Sequence, residues 1–263
     1  MHPKDLAVSR SLDAKSTPES NSPPRPAPPA PVPSPVPETG LMRSIWLVIQ
    51  KDAVLEWRSR ARVNATIFFA IMTLLLFSFA VGPHQSLLQR NAPGFLWLAI
   101  FLSSTMSLGE SMRLESENDA LDGLRLLPVD PLAIFLAKAI VNTLFLIGLS
   151  ALMVPLALAL YDAHLSLGPG TLFLILALGA AAISAPGTLY AALSSQARAR
   201  DVLLPLLLFP ILVPGLLAAV KATSLVFDGD PMQQLGSWRT LLIAFNVTYW
   251  FVCSLLFGRV IEE

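Results

Sequence analysis

Six stretches of this chain are each long and apolar enough to cross a bilayer, and nothing else in the sequence limits the fold as strongly. A helix through a hydrocarbon core of about 30 Å needs roughly 20 mostly apolar residues. Such stretches lie at about 63–82, 93–110, 132–160, 170–193, 202–226 and 238–259. The first, VNATIFFAIMTLLLFSFAVG, carries no charge at all. The second is the least hydrophobic and is expected to be short or broken. In lipid every backbone polar group needs an internal partner, so runs of helical length imply an all-α integral membrane protein rather than a barrel. Only 14% of the 263 residues are charged, against about 25% in a soluble domain.

The segment before these spans is of a different kind. Residues 1–40 hold 11 of the 22 prolines, most of them in PPRPAPPAPVPSPVP. With no periodic apolar face to offset its ordering entropy, it is expected to be a disordered, Pro-rich cytoplasmic tail. The rest, 41–263, reads as one membrane domain. Within it, 41–60 is too poor in apolar residues to span, but Met42, Trp46, Ile49, Ala53 and Trp57 recur at helical spacing. An interfacial helix with its tryptophans at headgroup depth is expected, the alternative being a wet start to an extra-long first span.

Cation placement orients the spans. Arg43, Lys51, Arg58, Arg60 and Arg62 precede the first span, Arg113 and Arg125 lie between the second and third, Arg198 and Arg200 between the fourth and fifth, and Arg259 near the C-terminus. The other side has only Arg90, Lys221 and Arg239. Both termini are therefore expected in the cytoplasm. Lys138, about a turn or two inside the third span, is expected to snorkel to the headgroups.

Several function classes drop out. The 18 Lys+Arg balance 18 Asp+Glu, so no overall field attracts a nucleic acid. One cysteine, Cys253, excludes an internal disulfide and a cysteine-based metal cluster. His2, His84 and His164 are too scattered in sequence to suggest a metal centre. GxxxxGK[ST], HExxH and GxSxG are all missing, so no catalytic residue and no cofactor is assigned to this chain. The Asn64-Ala65-Thr66 sequon falls at the start of a span and has no expected use.

What remains is the connection ESMRLESENDALDGLRLLPVDP (110–131). Glu110, Glu115, Glu117, Asp119, Asp122 and Asp130 outnumber Arg113 and Arg125. Leu114, Leu121, Leu124 and Leu127 fall at helix-compatible spacing, which predicts a short amphipathic helix with an acidic face. Its leucines suit a groove on a cytoplasmic partner, with the acids oriented against a basic rim; a solvated surface helix is the plainer alternative. The basic connection SSQARARD (194–201) can face the same partner. Pro155, Pro186-Gly187, Pro205, Pro210 and Pro214-Gly215 are expected to interrupt helices three to five. Ala177, Ala181 and Ala185 give helix four a stripe of small residues for close contact.

Four stretches in order carry a family resemblance: GPHQSLLQRNAPGFLWLAIFLSS (82–104), LRLLPVDPLAIFLAK (124–138), SAPGTLYAAL (184–193) and VLLPLLLFPILVPGLL (202–217). Over about 41–263 the chain resembles the heme exporter protein B (CcmB) family, permease subunits of the cytochrome c maturation ABC complex. The first two stretches are the more specific, because hydrophobicity alone does not place Gly-Pro, Asn-Ala-Pro-Gly and Leu-Leu-Pro-x-x-Pro at these intervals. The resemblance implies a six-helix ABC-2-like permease in the bacterial inner membrane, not itself an enzyme. It implies an ATPase partner resembling CcmA that holds ATP and magnesium, membrane partners resembling CcmC and CcmD, and indirectly the heme chaperone CcmE. Heme enters as a possible substrate. One departure bears on the partner contact: where the family shows Gly-x-Leu-Glu before Leu-Leu-Pro, this chain reads Ala120-Leu121-Asp122-Gly123-Leu124, with a shorter carboxylate arm. An ABC-2 permease for another substrate (a lipid-linked glycan or a drug) and a non-transporting membrane scaffold are the alternatives.

Overall fold

A computed structural model describes residues 41–117, 131–195 and 200–262. The tail 1–40 and the segments 118–130 and 196–199 lie outside the described residues, as does the disorder expected for the tail. Among the described residues seven helices follow one another: α1 (Leu41–Arg58), α2 (Arg60–Val81), α3 (Gln85–Glu117), α4 (Pro131–Tyr161), α5 (Pro169–Ser195), α6 (Arg200–Asp228) and α7 (Leu235–Glu262). Six of them, α2 to α7, are long and apolar enough to cross a membrane. The protein is an all-α integral membrane protein with six spans.

The boundaries have local causes. Ser59, at φ −80° and ψ 55°, is not helical and separates α1 from α2. Gly82 ends α2 at φ +71°, a conformation costly for residues with a Cβ. Pro131 and Pro169 open α4 and α5, where a missing N–H costs nothing and φ is already set. Asp230 caps α7, its carboxylate accepting from the N–H groups of Gln234 and Leu235 at 2.8 Å each.

The bundle is built around α3 and α5, whose membrane-spanning windows are the most buried. This corrects the expectation of a short or broken second span: α3 is a continuous helix of 33 residues. Its low hydrophobicity reflects protein neighbours on most sides instead of lipid. Its buried hydroxyls turn inward on the helix itself, Ser103 donating to Ala99 O and Ser104 to Phe101 O at 2.7 Å, so no polar atom is stranded.

Two glycines of α5 make room for side chains of α3. A Cβ on Gly179 of α5 would overlap the indole of Trp97 on α3, and one on Gly187 would come within 2.5 Å of Leu108. Trp97 is fully buried, and its Nε1 donates to Thr223 Oγ1 of α6 at 2.9 Å, which joins three helices. Of the predicted stripe, Ala185 is buried while Ala177 and Ala181 are only partly so. The prolines do not end the helices in which they lie. Pro155 and Pro186 lie inside continuous helices, and α6 runs unbroken through Pro205, Pro210 and Pro214. Near Pro186, Trp250 Nε1 donates to Ala181 O at 3.1 Å, beside the Ala182 carbonyl that a proline at 186 deprives of its helical donor.

Candidate functional site at the loop-bearing end

One end of the bundle carries the α1–α2 junction, the long acidic connection between α3 and α4, and the basic connection between α5 and α6. Here α3 continues past Gly109 through the polar stretch ESMRLESE as far as Glu117. At 1.5 Å per residue that stretch is about 12 Å. Glu110, Leu114, Glu115 and Glu117 sit on these last turns of α3. Asp119, Leu121, Asp122, Leu124 and Leu127 fall in 118–130, outside the described residues. The chain returns at Pro131 to begin α4.

About 10 Å along α4 from Pro131 sits Lys138, and it does not snorkel. Its side chain is only 6% exposed, and its Nζ lies 3.6 Å from Asp52 Oδ2 of α1. Asp52 is itself 10% exposed on its side chain and meets Lys51 Nζ at 3.2 Å through Oδ1. Among the described residues neither Asp52 oxygen accepts a hydrogen bond, so the contacts are Coulombic. The expectation failed because Lys138 has a carboxylate within reach on a helix that packs across it. For a charge removed from water, a partner at this distance offsets desolvation that an excursion to the headgroups would otherwise avoid.

This pair also explains how α1 lies. Asp52, Ile45, Val48 and Ile49 form its buried or half-buried side, whereas Met42 is 79% and Trp46 59% exposed. The stripe singled out in the sequence is thus divided: Met42, Trp46 and Ala53 face outward, and Ile49 turns towards the bundle. Two neutral bridges reinforce α4 on α5 beyond Lys138. Ser184 Oγ donates to Ala139 O at 2.6 Å, and Asn142 Nδ2 donates to Thr188 Oγ1 at 2.9 Å. The start of α4, into which the acidic connection feeds, is therefore held by α1 on one side and α5 on the other.

The signal missed in the sequence was the pairing. A lone lysine inside a span points to a partner, and Asp52 was the acid available on an adjoining amphipathic helix. His84 and His164 are both exposed at the opposite end. Among the described residues no group of three or more His, Cys, Asp or Glu side chains is arranged to hold a metal.

The profile of the CcmB protein family matches residues 43–262, and so takes in all six spans and most of α1. The chain belongs to the CcmB family. It is similar to heme exporter protein B of Pseudomonas aeruginosa, 33% identical over 204 residues that cover 77% of this chain and 90% of that protein. It is likewise similar to heme exporter protein B of Haemophilus influenzae, 31% identical over 65% of this chain and 77% of the relative. The Rhodobacter capsulatus protein of the same name is 32% identical, with 65% and 78% covered. For a CcmB family chain, the bilayer-spanning bundle and the loop-bearing end described above are the parts on which a permease role has to rest.

Proposed function

We propose that this chain is the membrane permease subunit of an ABC-type heme exporter serving cytochrome c biogenesis in the bacterial inner membrane. Both termini and the connections after α3 and α5 face the cytoplasm, as the cation asymmetry indicates. ATP with magnesium is hydrolysed by a separate subunit resembling CcmA, and the connection 110–127 is the surface it grips. Displacement of that connection drives heme export or the release of heme-loaded chaperone CcmE, with CcmC-like and CcmD-like proteins alongside.

The observation that carries this proposal is the continuation of α3 through the polar stretch ESMRLESE (110–117) into an acidic, leucine-bearing connection. A helix that only spans has no use for extra turns in water, whereas a rigid arm reaching a soluble ATPase does. The relatives' name supplies the cargo. The test is complementation: the full chain is expressed in a bacterium lacking its own heme exporter protein B, and c-type cytochromes are read by heme staining. Restored holocytochrome is expected. Membrane-inserted chain with no holocytochrome would contradict the assignment.

A further inference from the structure

Between α1, α2 and α4 the bundle leaves a groove of about 390 Å³, open on one side. Val63 and Ile67 of α2 and Val141, Leu144, Gly148 and Leu152 of α4 wall it, and Ala53 of α1 closes one end. Every one of these is apolar. The span from Val141 to Leu152 is about 16 Å of helix, from near the loop-bearing end deep into the bilayer-crossing part. A water would find none of the two to four polar partners it needs, and an empty groove forfeits dispersion contacts. A single hydrocarbon chain matches its length and lining.

The mouth of the groove supplies the rest of the ligand. Arg60, Val63 and Ile67 follow one another at spacings of three and four, so they share a stripe of α2, and Arg60 is exposed one turn above Val63. The segment 41–62 holds five cations, Arg43, Lys51, Arg58, Arg60 and Arg62, against Asp52 and Glu56. Asp52 is already engaged by Lys138 and Lys51. Basic residues at the end of a hydrocarbon slot are the pattern that anionic headgroups recognise, and a guanidinium pairs well with a phosphate.

We propose that this groove binds one acyl chain of an anionic phospholipid whose phosphate is held by Arg60 at its mouth, so that the lipid wedges α1 against α2 and α4. Gly148 gives a probe. A Cβ there meets nothing within 4 Å, so Gly148→Leu projects its side chain into the groove that Gly148 lines, and leucine favours the helix over glycine. The purified full chain is titrated in detergent with dioleoyl phosphatidylglycerol or dioleoyl phosphatidylcholine and read by native mass spectrometry.

One phosphatidylglycerol retained in preference to phosphatidylcholine is expected. Gly148→Leu should weaken it about tenfold, as loss of roughly two buried methylenes predicts. Ile67→Phe, which fills the same space from α2, should act alike, and Arg60→Gln should abolish the preference between the two lipids. Equal retention of both lipids by the unmodified chain, or undiminished retention by both filling variants, would overturn the proposal. So would a loss of self-association in those variants with lipid retention unchanged, which would make the groove a contact between copies.

Discussion

The two ends of the bundle are held together in different ways. At the end opposite the acidic connection, the turns are short and bonded to one another. Gln89 Nε2 at the start of α3 donates to Asp162 O at 2.8 Å. Ser166, in the connection between α4 and α5, donates from its backbone N–H to Val226 O at 3.0 Å and from its hydroxyl to Phe227 O at 2.6 Å. Tyr161 donates to Leu74 O at 2.7 Å, joining α4 to α2. At the loop-bearing end the described contacts holding the start of α4 include a charge pair between Asp52 and Lys138, below a long connection. At the one end short connections are tied to neighbouring helices by neutral hydrogen bonds; at the other a charge pair lies beside two neutral bridges, Ser184 to Ala139 and Asn142 to Thr188. The ATPase contact proposed above belongs to the second end.

The largest effect should come from the arm itself. Leu121→Asp with Leu124→Asp should lower ATPase copurification a hundredfold or more, because each buried leucine is worth roughly 1.5–3 kcal/mol and 1.4 kcal/mol is about tenfold. Charge reversal of Glu115, Glu117 and Asp119 together should weaken recruitment less, and less still at high salt, since exposed pairs are worth about 0–1 kcal/mol and are screened. Recruitment at full yield by the leucine variant would move the working surface elsewhere.

Next comes the charge pair. Lys138→Met strips Asp52 of its buried partner, and breaking such a pair costs about 3–5 kcal/mol; the remaining contact to Lys51 sets the expectation at the lower end. The chain should show reduced abundance and a lower detergent unfolding midpoint. Asp52→Leu with Lys138→Met should recover most of the loss, since an apolar pair of similar volume is tolerated. If the double variant is worse than the single, the charge itself matters more than the packing of α1 on α4.

At the bonded end single changes should be small, because no one bond carries it. Ser166→Ala should cost about 1 kcal/mol in unfolding free energy and leave ATPase recruitment unchanged. A recruitment defect there would erase the contrast between the ends. Smallest of all, His84→Ala with His164→Ala should leave holocytochrome yield unchanged, as should deletion of residues 1–40. Loss of heme handling in the histidine pair would instead make the bonded end the chemical one.

Much of the fold was legible because the bilayer demands it. The six runs in the sequence agree with α2 to α7 to within a few residues, except that α3 continues well past 110 and begins before 93. Its extension was hidden because the last turns are polar, and a hydropathy window stops where lipid stops. Lys138 was conspicuous, but its partner lies 86 residues earlier, and sequence spacing does not report a contact between helices. The alanines at 177, 181 and 185 showed that α5 admits close neighbours; only packing shows that Gly179 and Gly187 are where Trp97 and Leu108 enter. Of the residues proposed for the ATPase contact, Glu110, Leu114, Glu115 and Glu117 lie on the continuous helix α3, which the amphipathic pattern could not have distinguished from a separate short one.

The most direct measurement is purification of the tagged full chain from native membranes in mild detergent, with the associated proteins identified and quantified by mass spectrometry. An ATPase of the CcmA type should come with it in near-stoichiometric amount, together with a CcmC-like protein, and both should stay after deletion of residues 1–40. A chain that purifies intact and well folded with no ATPase would contradict the claim that its loop-bearing end is an arm worked by ATP hydrolysis in another subunit.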